Sequence, residues 1–163
     1  MVRSLLRLAF TIFVLSVSLG CSANPLQPST ARSFTGTWRG HFQLTTCDTD
    51  YPDIRGCSVR RWLGFDEYVT FIHDGTGVTG TFGGGPYFAG VVLRGTAQGS
   101  RVVLSGLHVT PDLTDNIAMT ADLLNDGGMT VRAEQTVVSF STFFQKWFTT
   151  HRVAVGESLR PDP

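Results

Sequence analysis

A strict alternation of apolar and polar side chains limits what this chain can fold into. From Thr37 to Thr46 (TWRGHFQLTT), Trp38, Gly40, Phe42 and Leu44 fall at every second position, and polar residues lie between them. Successive side chains of a β-strand point to opposite faces, so this pattern is typical of a strand buried on one face only. The segment predicts the first strand of a β domain.

Similar β-rich segments recur along the chain, separated by turn residues such as Asp74-Gly75 and Asn125-Asp126-Gly127-Gly128. Short strands at regular spacing predict an antiparallel sandwich or barrel rather than a parallel βαβ sheet. Glycines inside the strands suit the bends of a small closed barrel, which also has no exposed sheet edge. We predict an all-β fold, an up-and-down antiparallel β-barrel of about eight strands. The further predicted strands are Glu67–His73, Val78–Phe82, Tyr87–Ala97, Arg101–Val109, Asn116–Leu124 and Met129–Val138.

The segment before the last strand carries two patterns at once. Five aromatic residues recur at the spacing of one helix face, yet the chain from Phe148 onward is rich in strand formers. We expect a short helix or turn near Ser141–Lys146, a closing strand over Trp147–Val155 and a loose C-terminal tail over 156–163. The aromatic residues in question are Phe140, Phe143, Phe144, Trp147 and Phe148.

The first twenty residues have the character of an export signal. Arg3 and Arg7 precede an uncharged apolar run, Leu8–Leu19, which is too short for the roughly twenty residues that a membrane-spanning helix needs. Both arginines belong to this leader, so the rest of the chain has 11 of the 13 basic residues against 13 acidic ones. A domain with that balance lacks the basic field that attracts nucleic acid.

The end of the leader, Ser18-Leu19-Gly20-Cys21, resembles the lipobox of bacterial lipoproteins at Gly20 and Cys21. The resemblance implies a diacylglycerol on the sulfur of Cys21, cleavage before it and acylation of the new amino terminus. Residues 21–33 would then form a tether to the membrane, and Ser22 would favour the outer membrane in a diderm bacterium. The alternatives are ordinary cleavage after Ala23, which would release a secreted soluble protein, and an uncleaved leader that serves as the anchor.

The three cysteines agree with export. If Cys21 is lipidated or removed, Cys47 and Cys57 remain as an even pair separated by a short loop. An oxidising compartment favours a disulfide between them, and two free buried thiols are the alternative.

Gly36-Thr37-Trp38, with Val78-Thr79-Gly80-Thr81-Phe82 further on, resembles the opening of the calycin barrels, which include lipocalins and avidins. The resemblance implies a small β-barrel with an aromatic residue closing one end. Biotin binding is not carried over, because Gly40 stands where avidins have a polar ligand residue and Phe82 where they have tyrosine. The lipocalin comparison leaves open a cavity for a small apolar ligand.

Candidate functional residues fall into two groups. If the barrel is hollow, aromatic side chains would line its pocket, although packing alone also explains them. Arg60, Arg61 and Trp62 are residue types that interfaces favour, so they form a candidate partner contact, with a tryptophan lid on the barrel as the alternative. The candidate pocket residues are Trp38, Phe42, Phe71, Phe82 and Trp147.

The sequence contains no recognisable catalytic, metal-binding or phosphate-binding motif. Asp48, Asp50 and Asp53 suggest a calcium loop but lack its glycine and glutamate, and the four histidines are dispersed. We therefore predict no catalytic residue, metal or cofactor. The sequence favours an envelope lipoprotein with a non-enzymatic binding module, anchored by its lipid and contacting another envelope protein or surface. A carrier of a small apolar ligand is the alternative, and an enzyme is the least favoured.

Overall fold

A computed structural model describes residues 33–52, 57, 64–74, 77–85 and 87–163. Eight antiparallel strands follow one another around a closed barrel, each pairing with its neighbours in sequence, and β1 pairs with β8 to complete the circle. This confirms the predicted all-β fold and strand number. The strands are β1 (Gly36–Thr49), β2 (Phe65–Asp74), β3 (Gly77–Gly83), β4 (Val92–Gln98), β5 (Arg101–Thr110), β6 (Leu113–Leu123), β7 (Met129–Ser141) and β8 (Lys146–Pro161).

The barrel has two ends that differ in their connections. The end where the chain reaches β1, here called the proximal end, carries the β2–β3, β4–β5 and β6–β7 turns. The distal end carries the β1–β2, β3–β4, β5–β6 and β7–β8 connections. No stretch among the described residues forms a helix with the length and apolar character needed to cross a membrane.

The alternating apolar residues of the strands fill the barrel. Phe42 and Phe71 have no surface that a water molecule could touch, and Trp38 and Phe82 are 6% and 5% exposed. A void of molecular size beside these side chains would leave them with accessible surface. The four side chains therefore pack into a solid core rather than lining a cavity.

Aromatic side chains also close both ends of the core. At the proximal end the buried ring of Phe34 packs against Phe71. The backbone carbonyl oxygen of Phe34 accepts a 2.9 Å hydrogen bond from the indole N–H of Trp38. At the distal end the β3–β4 connection places Phe88, which is fully buried, against the ring of Phe82.

Glycines inside the strands allow neighbouring side chains to approach closely. A Cβ on Gly80 would lie 2.6 Å from a methyl carbon of Leu104, and a Cβ on Gly106 would lie 2.6 Å from the carbonyl oxygen of Val92. A closed barrel this small has no room for even one more carbon at these places.

Of the short helix or turn predicted near Ser141–Lys146, the turn is confirmed and the helix is wrong. The β7–β8 ladder continues to the pair Ser141 and Lys146, so only four residues, 142–145, are left for a turn. Gln145 ends the turn with a positive φ of 51°. Phe140 and Trp147 have helix-like spacing, but they lie opposite each other across the hairpin, because a four-residue turn also brings positions i and i+7 together.

The predicted loose tail after Val155 is also wrong. β8 continues to Pro161, and Leu159 is fully buried opposite Met129. The bulge between Met129 and Val131 shifts the register in this region, and Ser158 adopts a positive φ of 56°. The irregular backbone carries the strand past Gly156, where the sequence pattern weakens.

The predicted disulfide is confirmed. Cys47, near the end of β1, is bonded to Cys57 in the β1–β2 connection, with a Cα–Cα distance of 5.4 Å. The bond ties the long distal connection to the barrel wall. Closing a loop of this length contributes about 2–3 kcal/mol to stability, mainly by restricting the unfolded chain.

Candidate functional site

The buried polar side chains and the exposed aromatic side chains of the described residues lie toward the distal end of the barrel. The candidate site has three parts: a buried polar network between β6, β7 and β8, a buried carboxyl on β2, and an exposed aromatic hairpin between β7 and β8.

The polar network is organised by Gln135, which is 2% exposed. Its amide nitrogen donates to both carboxylate oxygens of Asp115, at 3.0 and 2.9 Å, and to the carbonyl oxygen of Tyr87 at 3.0 Å. Its amide oxygen accepts a 3.0 Å hydrogen bond from the guanidinium of Arg152. The glutamine thus links a buried anion to a cation on the next strand without direct contact between the two charges.

The pKa values of the charged groups in the network depend on burial and on the neighbouring charges. Burial raises the pKa of Asp115, while the hydrogen bond from Gln135 and the charges of Arg152 and His108 act in the opposite direction. Burial lowers the pKa of Arg152, whose guanidinium lies 5.0 Å from the centre of the Tyr87 ring. The network couples the β3–β4 connection to the opposite wall of the barrel.

Glu67 is the second part of the site. It points to the same side of β2 as Val69 and Phe71, is 3% exposed, and neither of its carboxyl oxygens has a hydrogen-bond partner. A Cβ on Gly85 would lie 2.5 Å from its carboxyl carbon, so the side chain is pressed against the β3–β4 connection. Burial raises the pKa of Glu67 from its ordinary value of 4.5 to about 8. We therefore expect Glu67 to be mostly protonated at neutral pH.

The aromatic hairpin is the third part, and it faces outward. Phe143, Phe144 and Trp147 are 85%, 42% and 47% exposed, and Trp147 packs on Phe140 with ring centres 5.4 Å apart. The ring of Tyr51 lies 5.7 Å from Phe144 and joins the β1–β2 connection to this cluster.

Two exposed aliphatic residues lie near the same end of the barrel, on β5, two strands away from β7. Leu107 and Val109 on β5 are 63% and 61% exposed, and Val109 lies in the row of outward residues that runs through Thr114 to Val138. Together with the three exposed aromatic residues of the hairpin, they make up five of the eight large hydrophobic side chains that are exposed in the described ranges. We call this set the apolar rim, and it consists of Leu107, Val109, Phe143, Phe144 and Trp147.

The structure separates the predicted pocket residues into two sets. Trp38, Phe42, Phe71 and Phe82 come together in the core, where they serve packing. The prediction for Trp147 is wrong, because Phe148 takes the buried position of β8 and alternation turns Trp147 outward. Cys21 and the predicted partner contact Arg60, Arg61 and Trp62 lie outside the described residues.

Asp50, close to Cys47 in the chain, has a structural role, whereas Asp53 lies outside the described residues. Asp50 accepts a 2.6 Å hydrogen bond from the backbone N–H of Thr149, and its own N–H donates to the carbonyl oxygen of the same residue. It fastens the β1–β2 connection to β8. Within the described residues, no group of three or more histidine, cysteine or acidic side chains is placed to hold a metal ion.

The fold and its distal end define this chain as a small closed β-barrel with a packed interior and an apolar rim. Comparisons with protein-family models, with curated proteins and with solved structures find no match to it.

Proposed function

We propose that this protein is an exported, lipid-anchored component of a bacterial envelope, whose barrel is a non-enzymatic binding module that makes contact through its apolar rim. The observation that carries the proposal is the grouping of five exposed apolar side chains at one end of a barrel whose core is packed. Exposed apolar patches with polar surroundings are typical of interaction sites.

The interior gives no support to the alternative of a carrier. Phe42 and Phe71 have no accessible surface of their own, and the buried rings of Phe34 and Phe88 pack against the core at its two ends. An apolar ligand would have to displace packed core side chains, at a cost of several kcal/mol. We therefore place binding on the outside of the barrel.

The disulfide supports export, because such bonds persist in oxidising compartments and are rare in the cytosol. The leader and the lipobox-like Gly20-Cys21 support a lipid anchor. We expect the mature amino terminus to be a diacylglyceryl-cysteine at position 21, as read from the mass of its N-terminal peptide. The Cys21→Ala variant should leave the membrane fraction, and a variant that still fractionates with membranes would count against the anchor.

The contact surface is tested by hydroxyl-radical footprinting of the full chain in intact envelopes. Phe143 is 85% exposed and Ile72, at the other end of the barrel, is 59% exposed. We expect Phe143 to be oxidised more slowly than Ile72 in envelopes because a partner covers the rim. Oxidation of the two residues in proportion to their exposure and intrinsic reactivity would refute the proposal.

A further inference from the structure

We infer that the partner of the apolar rim is a lipid bilayer, and that the aromatic hairpin inserts into the interface between its headgroups and acyl chains. The inference rests on the proposed function and identifies the occupant of that surface. Three observations carry it: the composition of the hairpin, the arrangement of its rings, and the number of residues between the predicted anchor and the barrel.

The composition of the hairpin matches a membrane interface. Residues 140–148 (FSTFFQKWF) contain five aromatic side chains, one positive charge on Lys146 and no acidic residue. Tryptophan is enriched at membrane interfaces, and phenylalanine is common on the buried face of segments that lie in the interface. A basic residue there favours the anionic lipids of a bilayer.

Two exposed rings lie at the tip of the turn, and the positive charge lies behind them. Phe143 and Phe144, at the tip, meet edge to face with centres 4.8 Å apart, and Phe143 is the most exposed large hydrophobic residue of the described chain. Behind the tip, the ammonium of Lys146 lies 5.4 Å from the centre of the Phe148 ring. With apolar rings at the tip and a cation behind them, the hairpin can enter the acyl region while its charge stays among the headgroups.

The chain between the anchor and the barrel is long enough for both to meet one membrane. Residues 22–33 separate Cys21 from Phe34, and twelve residues reach about 40 Å when extended. β7 has 13 residues, which gives a barrel height of roughly 30–35 Å at the usual strand tilt. The bilayer that holds the lipid can therefore also receive the rim, with the flank that carries Leu107 and Val109 turned toward it.

The test uses the full chain reconstituted in vesicles of phosphatidylethanolamine and phosphatidylglycerol, with and without bromine on the acyl chains. The difference in fluorescence between the wild type and Trp147→Phe isolates Trp147 from Trp38 and Trp62. We expect brominated lipid to remove about half of the Trp147 emission, as interfacial insertion requires. The double variant Phe143→Ser/Phe144→Ser should abolish this quenching, whereas Ile72→Ser should leave it unchanged.

Quenching of Trp147 by aqueous acrylamide, with no effect of brominated lipid, would overturn the inference. If the rim is nevertheless protected in envelopes, the proposed function stands and the partner is a protein. Protection of Trp147 from both quenchers, with a doubled mass in solution, would identify a second copy of this chain as the occupant and would also overturn the inference.

Discussion

Replacing Glu67 with glutamine is expected to raise the free energy of unfolding at pH 9 by about 2–4 kcal/mol, with almost no change near pH 4. The reason is the buried, unpartnered carboxyl on β2, whose pKa rises to about 8 in the folded protein. Glutamine has nearly the same shape and cannot ionise, so it keeps the packing and removes the cost of a buried charge.

The direction of the pH dependence follows from proton binding. Between the ordinary pKa of 4.5 and the folded value of about 8, the folded protein holds a proton on Glu67 that the unfolded chain has lost. Stability contributed by this group is therefore complete below pH 4.5 and is lost as the pH rises to about 8. Above pH 8 both states are ionised and the loss is complete.

Thermal or urea unfolding at a series of pH values measures this effect. The wild type should lose stability from pH 5 to pH 8 more steeply than Glu67→Gln. Asp66→Asn is the matched control, because Asp66 is the next residue on β2 and its side chain is 94% exposed. Parallel pH profiles for the wild type and Glu67→Gln would show that Glu67 is already ionised in the folded protein.

The barrel could be predicted from the sequence because its main signal is local. Alternation along one strand, as in Thr37–Thr46, already determines which side chains face the core. Closure into eight strands then follows from the number of segments and the turns between them. The Cys47–Cys57 disulfide could be predicted as well, since a short spacing and an even pair of cysteines are properties of the sequence alone.

The β7–β8 hairpin shows where a local pattern has two solutions. The spacing of Phe140, Phe143 and Trp147 fits one face of a helix, but it also fits two paired strands joined by four residues. Pairing of β7 with β6 on its other edge extends the strand to Ser139 and decides between them. That pairing is a long-range property, which periodicity within the hairpin does not contain.

The buried polar residues of the distal end leave a recognisable signal in the sequence. Glu67 shares its strand phase with Val69 and Phe71, and Gln135 shares its phase with Val131 and Ala133. A polar residue in the apolar phase of a strand indicates a buried polar group that needs a partner. Its partner could not be named, because the hydrogen bonds of Gln135 join residues 17, 20 and 48 positions away along the chain.

Replacing Arg152 with methionine is expected to cost about 2–4 kcal/mol at pH 7, because it removes the cation that compensates a buried carboxylate. Asp115 is 8% exposed, and its pKa is raised by burial against the lowering effects of Gln135, Arg152 and His108. Without Arg152 this pKa rises further. The penalty should therefore grow as the pH rises from the ordinary value of 3.8 and should be small below it.

A double-mutant cycle separates this charge effect from lost packing. Asp115→Asn removes the anion, so the variant Arg152→Met/Asp115→Asn should recover at least half of the stability that Arg152→Met loses at pH 7. Arg132→Met is the matched control: its arginine lies on β7, has a side chain 54% exposed and pairs with Glu134 at the surface, so it should cost less than about 1 kcal/mol. If the losses of stability from the two single substitutions at 152 and 115 simply add, the charges of Arg152 and Asp115 do not interact across Gln135. The distal network would then serve only to fill space beneath Tyr87.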